Sequence, residues 1–283
     1  MMRRIKNDLL YHLARLALSL AGRTPEVLVP FIGRAVGVLA SWAAVVERRL
    51  ALRNLSNAGL LPRIMRDMFR HLGTGAVELG RIFYGRSQPE VAVPAGSLRA
   101  LDEALLQGKG VIYVTGHIGN WELMARELAR RGYPISTMAR ESYDPRFTRL
   151  IEEFRRSGGV DTIYRNRPGA AARIVRTLKK GRVLGFLIDQ NTRVPSVDVP
   201  FFGRPAPTPS GPAVIALRTR TPVVVGTIRR LDRGSHEIEI SRVPLDHQSD
   251  TVETVTARFS RMLEERIRQV PEQWVWLHHR WND

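Results

Sequence analysis

The chain has no cysteine in its 283 residues. Disulfides, a thiol nucleophile and cysteine-ligated zinc are therefore excluded, and so is a covalent thioester on the protein itself. Lysine is scarce, with only Lys6, Lys109, Lys179 and Lys180. There is no G-x-S-x-G nucleophile elbow, no H-E-x-x-H zinc motif, no Walker A loop and no G-x-G-x-x-G fingerprint. Internal repeats, low-complexity tracts, long linkers and metal-ligand spacings are missing as well. Direct transfer by a general base, with no metal and no cofactor, is the chemistry that these exclusions leave.

Acidic side chains are also in deficit. Lys and Arg number 44 against 27 Asp and Glu, a formal net charge of +17. A sum of that sign points to acidic partners. Nucleic acid would be one, but no helix-turn-helix, RNA-recognition or zinc-finger signature accompanies the charge. An anionic lipid surface, a phosphorylated glycolipid and an acidic acyl carrier protein all fit it. The length suits one α/β domain carrying an N-terminal helical extension better than two domains, with a division near residue 50: helices over 1–50, an α/β unit over 51–283.

The segment V-I-Y-V-T-G-H-I-G-N-W-E-L-M-A-R-E-L, residues 111–128, is the most informative. Its first five residues are apolar and largely β-branched, as in a buried strand, and from Trp121 the apolar residues take helical spacing. Gly116 and Gly119 permit a tight turn between the two, and Asn120 is a good N-cap. Glu122 falls in the first helical turn, where the amide dipoles favour a carboxylate. On a continuous helix His117 and Glu122 would point roughly 140° apart, but with the histidine in the turn its ring can fold back. The expectation is a His117–Glu122 dyad, in which the carboxylate fixes the tautomer and the free ring nitrogen takes a proton from a hydroxyl. Taken singly, each residue also has an ordinary explanation: a dipole-favoured glutamate and a polar histidine at a strand end.

Beyond this junction strand-like and helix-like segments alternate. Strands are predicted over 135–139, 160–164, 183–188 and 222–228, and helices over 145–157, 169–180 and from Thr208 to Arg218. The alternation predicts an α/β fold with a mainly parallel central sheet flanked by helices. In such sheets ligands bind outside the carboxyl ends of the strands. His117, Arg140, Arg165 and Asp189 all hold that position, so parallel strands would bring them to one edge. Arginines there could hold phosphate groups or a donor's phosphopantetheine. Arg155 is a further candidate, with a solvated arginine at a helix end as the plainer reading. Asp189 could position an acceptor hydroxyl or fix one of the arginines. In V-P-F-F-G-R-P-A, residues 199–206, the prolines argue against regular structure, and Phe201 and Phe202 line either a lipid entrance or the core. Trp274, Trp276 and Trp281 form either an interfacial belt or core packing.

The N-terminus reads as membrane-associated. Leu9, Leu13, Leu16 and Leu20 form a stripe at helical spacing, with Arg3, Arg4, Lys6, Arg15 and Arg23 nearby. A mostly apolar stretch over 27–46 follows, interrupted by Pro30 and Arg34. It is long enough to span a bilayer, but an arginine near its middle is costly there. The expected arrangement is a pair of helices lying on or dipping into the membrane. The alternative is a hydrophobic helix packed on the globular domain.

H-I-G-N-W-E at 117–122 resembles the signature of the lysophospholipid acyltransferase superfamily and, more closely, the bacterial lipid A biosynthesis acyltransferases and their relatives that acylate phosphatidylinositol mannosides. The likeness continues in order through G-F-L-I-D-Q-N at 185–191, V-P-F-F-G-R-P-A, T-P-S-G-P-A and P-E-Q-W-V-W-L-H-H-R-W. It implies a membrane-associated O-acyltransferase at the cytoplasmic face of the inner membrane. The donor would be an acyl thioester on acyl carrier protein or coenzyme A, and the acceptor a lipid A precursor or related glycolipid. It implies His117 and Glu122 as the catalytic pair, with Arg140, Arg155, Arg165 and Asp189 as candidates for substrate contact. A thioesterase or lipid hydrolase built on the same pair, and a non-catalytic basic membrane- or nucleic-acid-binding protein, are the alternative classes.

Overall fold

The computed structural model describes residues 2–282, except for the side chains of residues 2–6 and 233. Arg3, Arg4 and Lys6, expected beside the leucine stripe, therefore lie outside the described side chains. Four helices open the chain: α1 (Met2–Arg23), α2 (Val29–Ala43), α3 (Val45–Asn57) and α4 (Arg63–Phe83). Then follow β1 (Val91–Ala92), α5 (Ala95–Leu105), β2 (Val111–Thr115), α6 (Trp121–Arg130), β3 (Ile135–Ala139), α7 (Pro145–Ser157), β4 (Asp161–Tyr164), α8 (Ala170–Lys179) and β5 (Val183–Leu187). The last elements are β6 (Ser196–Phe201), β7 (Arg204–Pro209), α9 (Gly211–Thr219), β8 (Val223–Arg230), β9 (His236–Arg242) and α10 (Val252–Gln269). The division expected near residue 50 falls within α3.

Seven strands form one sheet in the order β1-β9-β8-β2-β5-β3-β4. Every neighbouring pair is parallel except β8 with β9. Because β2 lies between β5 and β8, all five of its side chains are buried, which explains its unbroken apolar run. Alternate residues serve opposite faces. Ile112 and Val114 join a core with Leu55, Phe259 and the tryptophans, whereas Val111 and Tyr113 pack with Leu101, Leu123 and Leu128. Local signals agree with the helices. Asn120 caps α6 by accepting from the Leu123 amide at 3.1 Å, and Asp144 caps α7 just before Pro145.

Two expectations from the sequence are corrected. V-P-F-F-G-R-P-A is not irregular, because it folds as the antiparallel β6–β7 hairpin. The hairpin stands apart from the main sheet as a two-stranded ribbon, and a proline whose missing N–H faces outward costs it no ladder bond. Thr208 and Pro209 end β7, so α9 starts later, behind Ser210 with Pro212 in its first turn. Phe201, Phe202, Trp274, Trp276 and Trp281 are all buried, the first four packing edge-on and Trp281 tilted at 39° against Phe201, the core alternative in each case.

The first two helices lie along α4. Gly33 and Gly37 of α2 meet α4 so closely that a Cβ on Gly37 would stand 2.1 Å from the Phe69 carbonyl oxygen. The small-residue face is thus turned inward, and the large apolar side chains face out. Leu13 and Leu16 of α1 and Phe31, Leu39 and Trp42 of α2 are each more than half exposed. Glu26–Ala43 has the length and composition to cross a membrane, yet α2 itself has only 15 residues and ends where Ala44 leaves helical geometry.

Candidate active site

Since β2, β3, β4 and β5 run parallel, their carboxyl ends form one edge, and His117, Asp189, Arg140 and Arg165 each lie within two residues of one of these ends. The turn carrying His117 is built from Gly116 to Asn120. Gly119 has φ +60°, and a Cβ there would lie 2.1 Å from the Ile228 carbonyl oxygen, so only glycine fits. The C-terminal segment clamps the turn from outside. The Gly119 amide donates to the Gln273 carbonyl at 2.9 Å, Val275 donates to the His117 carbonyl at 3.2 Å, and Ile118 forms an antiparallel bridge with Trp274. On the α4 side the His71 ring lies close to the Gly119 backbone.

The carboxylate on the His117 ring belongs to Asp189. Its Oδ1 lies 2.8 Å from Nδ1, while Oδ2 accepts from the His117 backbone amide at 2.6 Å and from the Trp274 indole at 2.7 Å. The Gln190 amide is 3.0 Å from the same ring nitrogen. Burial alone would raise the Asp189 pKa, but the charge and two hydrogen bonds of His117, with the Trp274 bond, bring it down to about 2. Asp189 is thus held ionised in a dry site. The imidazole side chain is 22% exposed, with its ring edge-to-face against Trp121 and tilted against His278.

Glu122 is held differently from the expected dyad. It pairs with Arg155, whose Nε and Nη2 donate at 2.9 and 2.5 Å. Its place in the first turn of α6 sets it against the last turn of α7, and both side chains are mostly buried. Two nearby arginines remain outside any ion pair among the described residues. Arg165 makes one long contact, 3.5 Å to the Thr192 hydroxyl, and Arg140 has no hydrogen-bond or ion-pair partner among the described residues. Asp189 therefore fixes the histidine and not an arginine. The sequence reading missed Gln190, Trp274, Gln273 and His71. Only the tryptophan-dense C-terminal block hinted at a role for Trp274, and His71 lies on a helix far from the motif in sequence.

Two spaces adjoin these groups. A cavity of about 40 Å³ lies under α6, lined by Tyr113, Met124, Leu128 and Ile135, with Glu122 and Arg155 at its polar end. A groove of about 1390 Å³ runs between α2, α4 and the β8–β9 turn, and it reaches His71 and Gln273 behind the clamped turn.

A carboxylate-oriented, partly exposed imidazole thus sits at the carboxyl edge of a mainly parallel α/β sheet, the edge at which ligands bind in such folds. The particular family follows from its sequence relatives. The family described as bacterial lipid A biosynthesis acyltransferase matches residues 3–283, and the chain belongs to it, so the protein is an acyltransferase. It is 26% identical to the lipid A biosynthesis palmitoleoyltransferase of Escherichia coli over 270 residues, covering 90% of this chain and 85% of that protein. Its identity to the phosphatidylinositol mannoside acyltransferase of Mycobacterium tuberculosis is 25% over 261 residues, covering 91% of this chain and 77% of that one.

Proposed function

We propose that the protein is a membrane-surface O-acyltransferase that moves a fatty acyl chain from an acyl thioester to a hydroxyl of a lipid A precursor. The observation that carries this reading is the His117–Asp189 contact at the sheet edge. With Nδ1–H donated to Asp189, Nε2 keeps its lone pair and takes the proton of the acceptor hydroxyl. The oxygen forms a bond to the thioester carbonyl carbon, the C–S bond breaks, and the imidazolium returns its proton to the leaving thiolate. Asp189 opposes the imidazolium charge while it exists. Glu122 acts through Arg155, holding α6 and α7 together beside the base. The reading assigns no metal and no cofactor, and it expects full activity in a strong chelator.

The names of the relatives support a glycolipid acceptor, with phosphatidylinositol mannoside as the alternative to lipid A. The groove beside α2 supports it too, since it offers room for a headgroup where the exposed apolar side chains of α2 would meet lipid. In this reading the enzyme works on the inner membrane with its catalytic unit on the cytoplasmic side, and the outward apolar side chains of α1 and α2 support its attachment to lipid. The donor is acyl carrier protein or coenzyme A, either of which the net positive charge would attract.

A product assay tests the proposal. Purified enzyme with an acyl thioester and a lipid A precursor should yield the acyl-lipid ester. Free fatty acid as the main product, formed at the same rate without acceptor, would establish the hydrolase reading instead. Mass spectrometry of total lipids from cells with and without the protein identifies both the acceptor and the added chain.

A further inference from the structure

Arg140 and Arg165 are adjacent by construction. The β3–β4 register pairs Ala139 with Tyr164, and the Arg165 amide donates to the Ala139 carbonyl at 2.9 Å, so the two arginines leave neighbouring strands side by side. Arg165 is half-buried, and both that burial and the charge of Arg140 depress its pKa. Arg140 itself is exposed, and two like charges held side by side repel each other until an anion joins them. Four carboxylates in this region are already engaged, and Glu152, whose charge reaches Tyr164 and Arg167, is not among the charges acting on Arg165. Glu141 accepts from Arg167 and Asn166, Asp144 from Arg146, Glu122 from Arg155, and Asp189 holds the histidine.

We propose that Arg140 and Arg165 form a clamp for a phosphate ester, and that in the working enzyme this is the phosphodiester of the donor's phosphopantetheine arm. Two guanidinium forks match the tetrahedral, multi-oxygen anion, and Thr192 adds a hydroxyl donor at its rim. The position agrees with the donor. β3 and β4 are the second and third strands from β2, so by strand spacing the clamp lies roughly 10–15 Å from His117. A phosphopantetheine arm spans such a gap between its phosphate and its thioester. Arg155, bound to Glu122, has no part in the clamp. The identification of the phosphate as the donor's rests on the acyltransferase reading, whereas the anion site itself rests only on the geometry.

Equilibrium titration of the full-length enzyme in detergent, without turnover, separates the two. For the wild type, 4′-phosphopantetheine should bind at least about tenfold more tightly than pantetheine, the scale of one charge-assisted hydrogen bond. Arg140→Ala or Arg165→Ala, with unchanged circular dichroism, should remove most of that preference, and Arg165→Lys should restore part of it. A second titration compares a phosphorylated glycolipid with its dephosphorylated form. If the alanine variants lose discrimination only between these lipids, the clamp stands and its assignment to the donor is overturned. If the wild type shows no preference for phosphate on either ligand, or the variants keep both preferences, the clamp is overturned. Intact phosphate discrimination without any acyl transfer would overturn the acyltransferase reading and leave the clamp in place.

Discussion

Arg155 grips Glu122 through both Nε and Nη2, and this pair ties the first turn of α6 to the last turn of α7 immediately beside the His117 turn. Removing either partner leaves the other charged and mostly buried, which is costly even where the pair itself contributes little net stability. Glu122→Gln and Arg155→Ala should each destabilise the fold by about 2 kcal/mol, and the double variant by clearly less than their sum. Urea unfolding of the four proteins measures the coupling. Both single variants should also lose turnover to a similar extent. Strong loss for Glu122→Gln beside wild-type turnover for Arg155→Ala would place Glu122 on the imidazole after all.

Turnover should depend on the other carboxylate more steeply. His117→Ala is expected to abolish transfer with the fold intact. Asp189→Asn keeps the shape but removes the charge opposing the imidazolium, and should lower kcat by about three to four orders of magnitude. Trp274→Phe deletes one of the hydrogen bonds on Asp189 and should cost about tenfold or less. Steady-state kinetics with one acyl thioester ranks the three variants.

Stability should fall with acid well above the carboxylate range. His236 is buried and His71 half-buried, both near Arg230. Loss of solvent, then the Arg230 charge, pushes each pKa down to about 3 from the ordinary 6.5, partly offset by the Gly119 backbone in the case of His71. The Glu78 carboxylate, 3.6 Å from His236 and paired with Arg230, does not reverse that direction. Between those pH values the unfolded chain binds protons that the native state does not. Their contribution is therefore fully present above pH 6.5 and is lost as pH falls toward 3, with a slope of up to about 1.4 kcal/mol per pH unit for each histidine. Unfolding free energies from pH 7.5 to 5 should show this slope, and His236→Asn should flatten it.

Deleting residues 1–46 would not be a clean test of membrane binding, because α1 and α2 cover α4 and their loss would bare Phe69, Gly73 and Gly80. Substituting the outward face avoids this. Phe31→Asp with Trp42→Asp should abolish sedimentation with anionic vesicles and leave the melting temperature within a few degrees of wild type. Undiminished sedimentation would assign attachment to another surface.

Much of the architecture is local in origin and legible in the sequence. The β-branched run before Gly116, the cap at Asn120 and Asp144–Pro145 before α7 decide their elements within a few residues, and the alternation of strands and helices implies a parallel sheet. A parallel sheet in turn brings His117, Asp189, Arg140 and Arg165 to one edge, whatever the details. Partner choice among charged groups has a different origin. Glu122 stands five residues from His117 and Asp189 stands 72 away, yet Asp189 reaches the ring because β2 and β5 are neighbours in register. Glu122, carried around onto the side of α6 that faces α7, meets Arg155 instead. The β6–β7 hairpin, the inward phenylalanines and the clamp of Gln273 and Val275 on the turn likewise depend on contacts between segments distant in sequence. Periodicity and capping act over a helical turn and can be read along the chain, whereas which carboxylate an imidazole finds depends on strand order, and strand order exists only once the chain has folded.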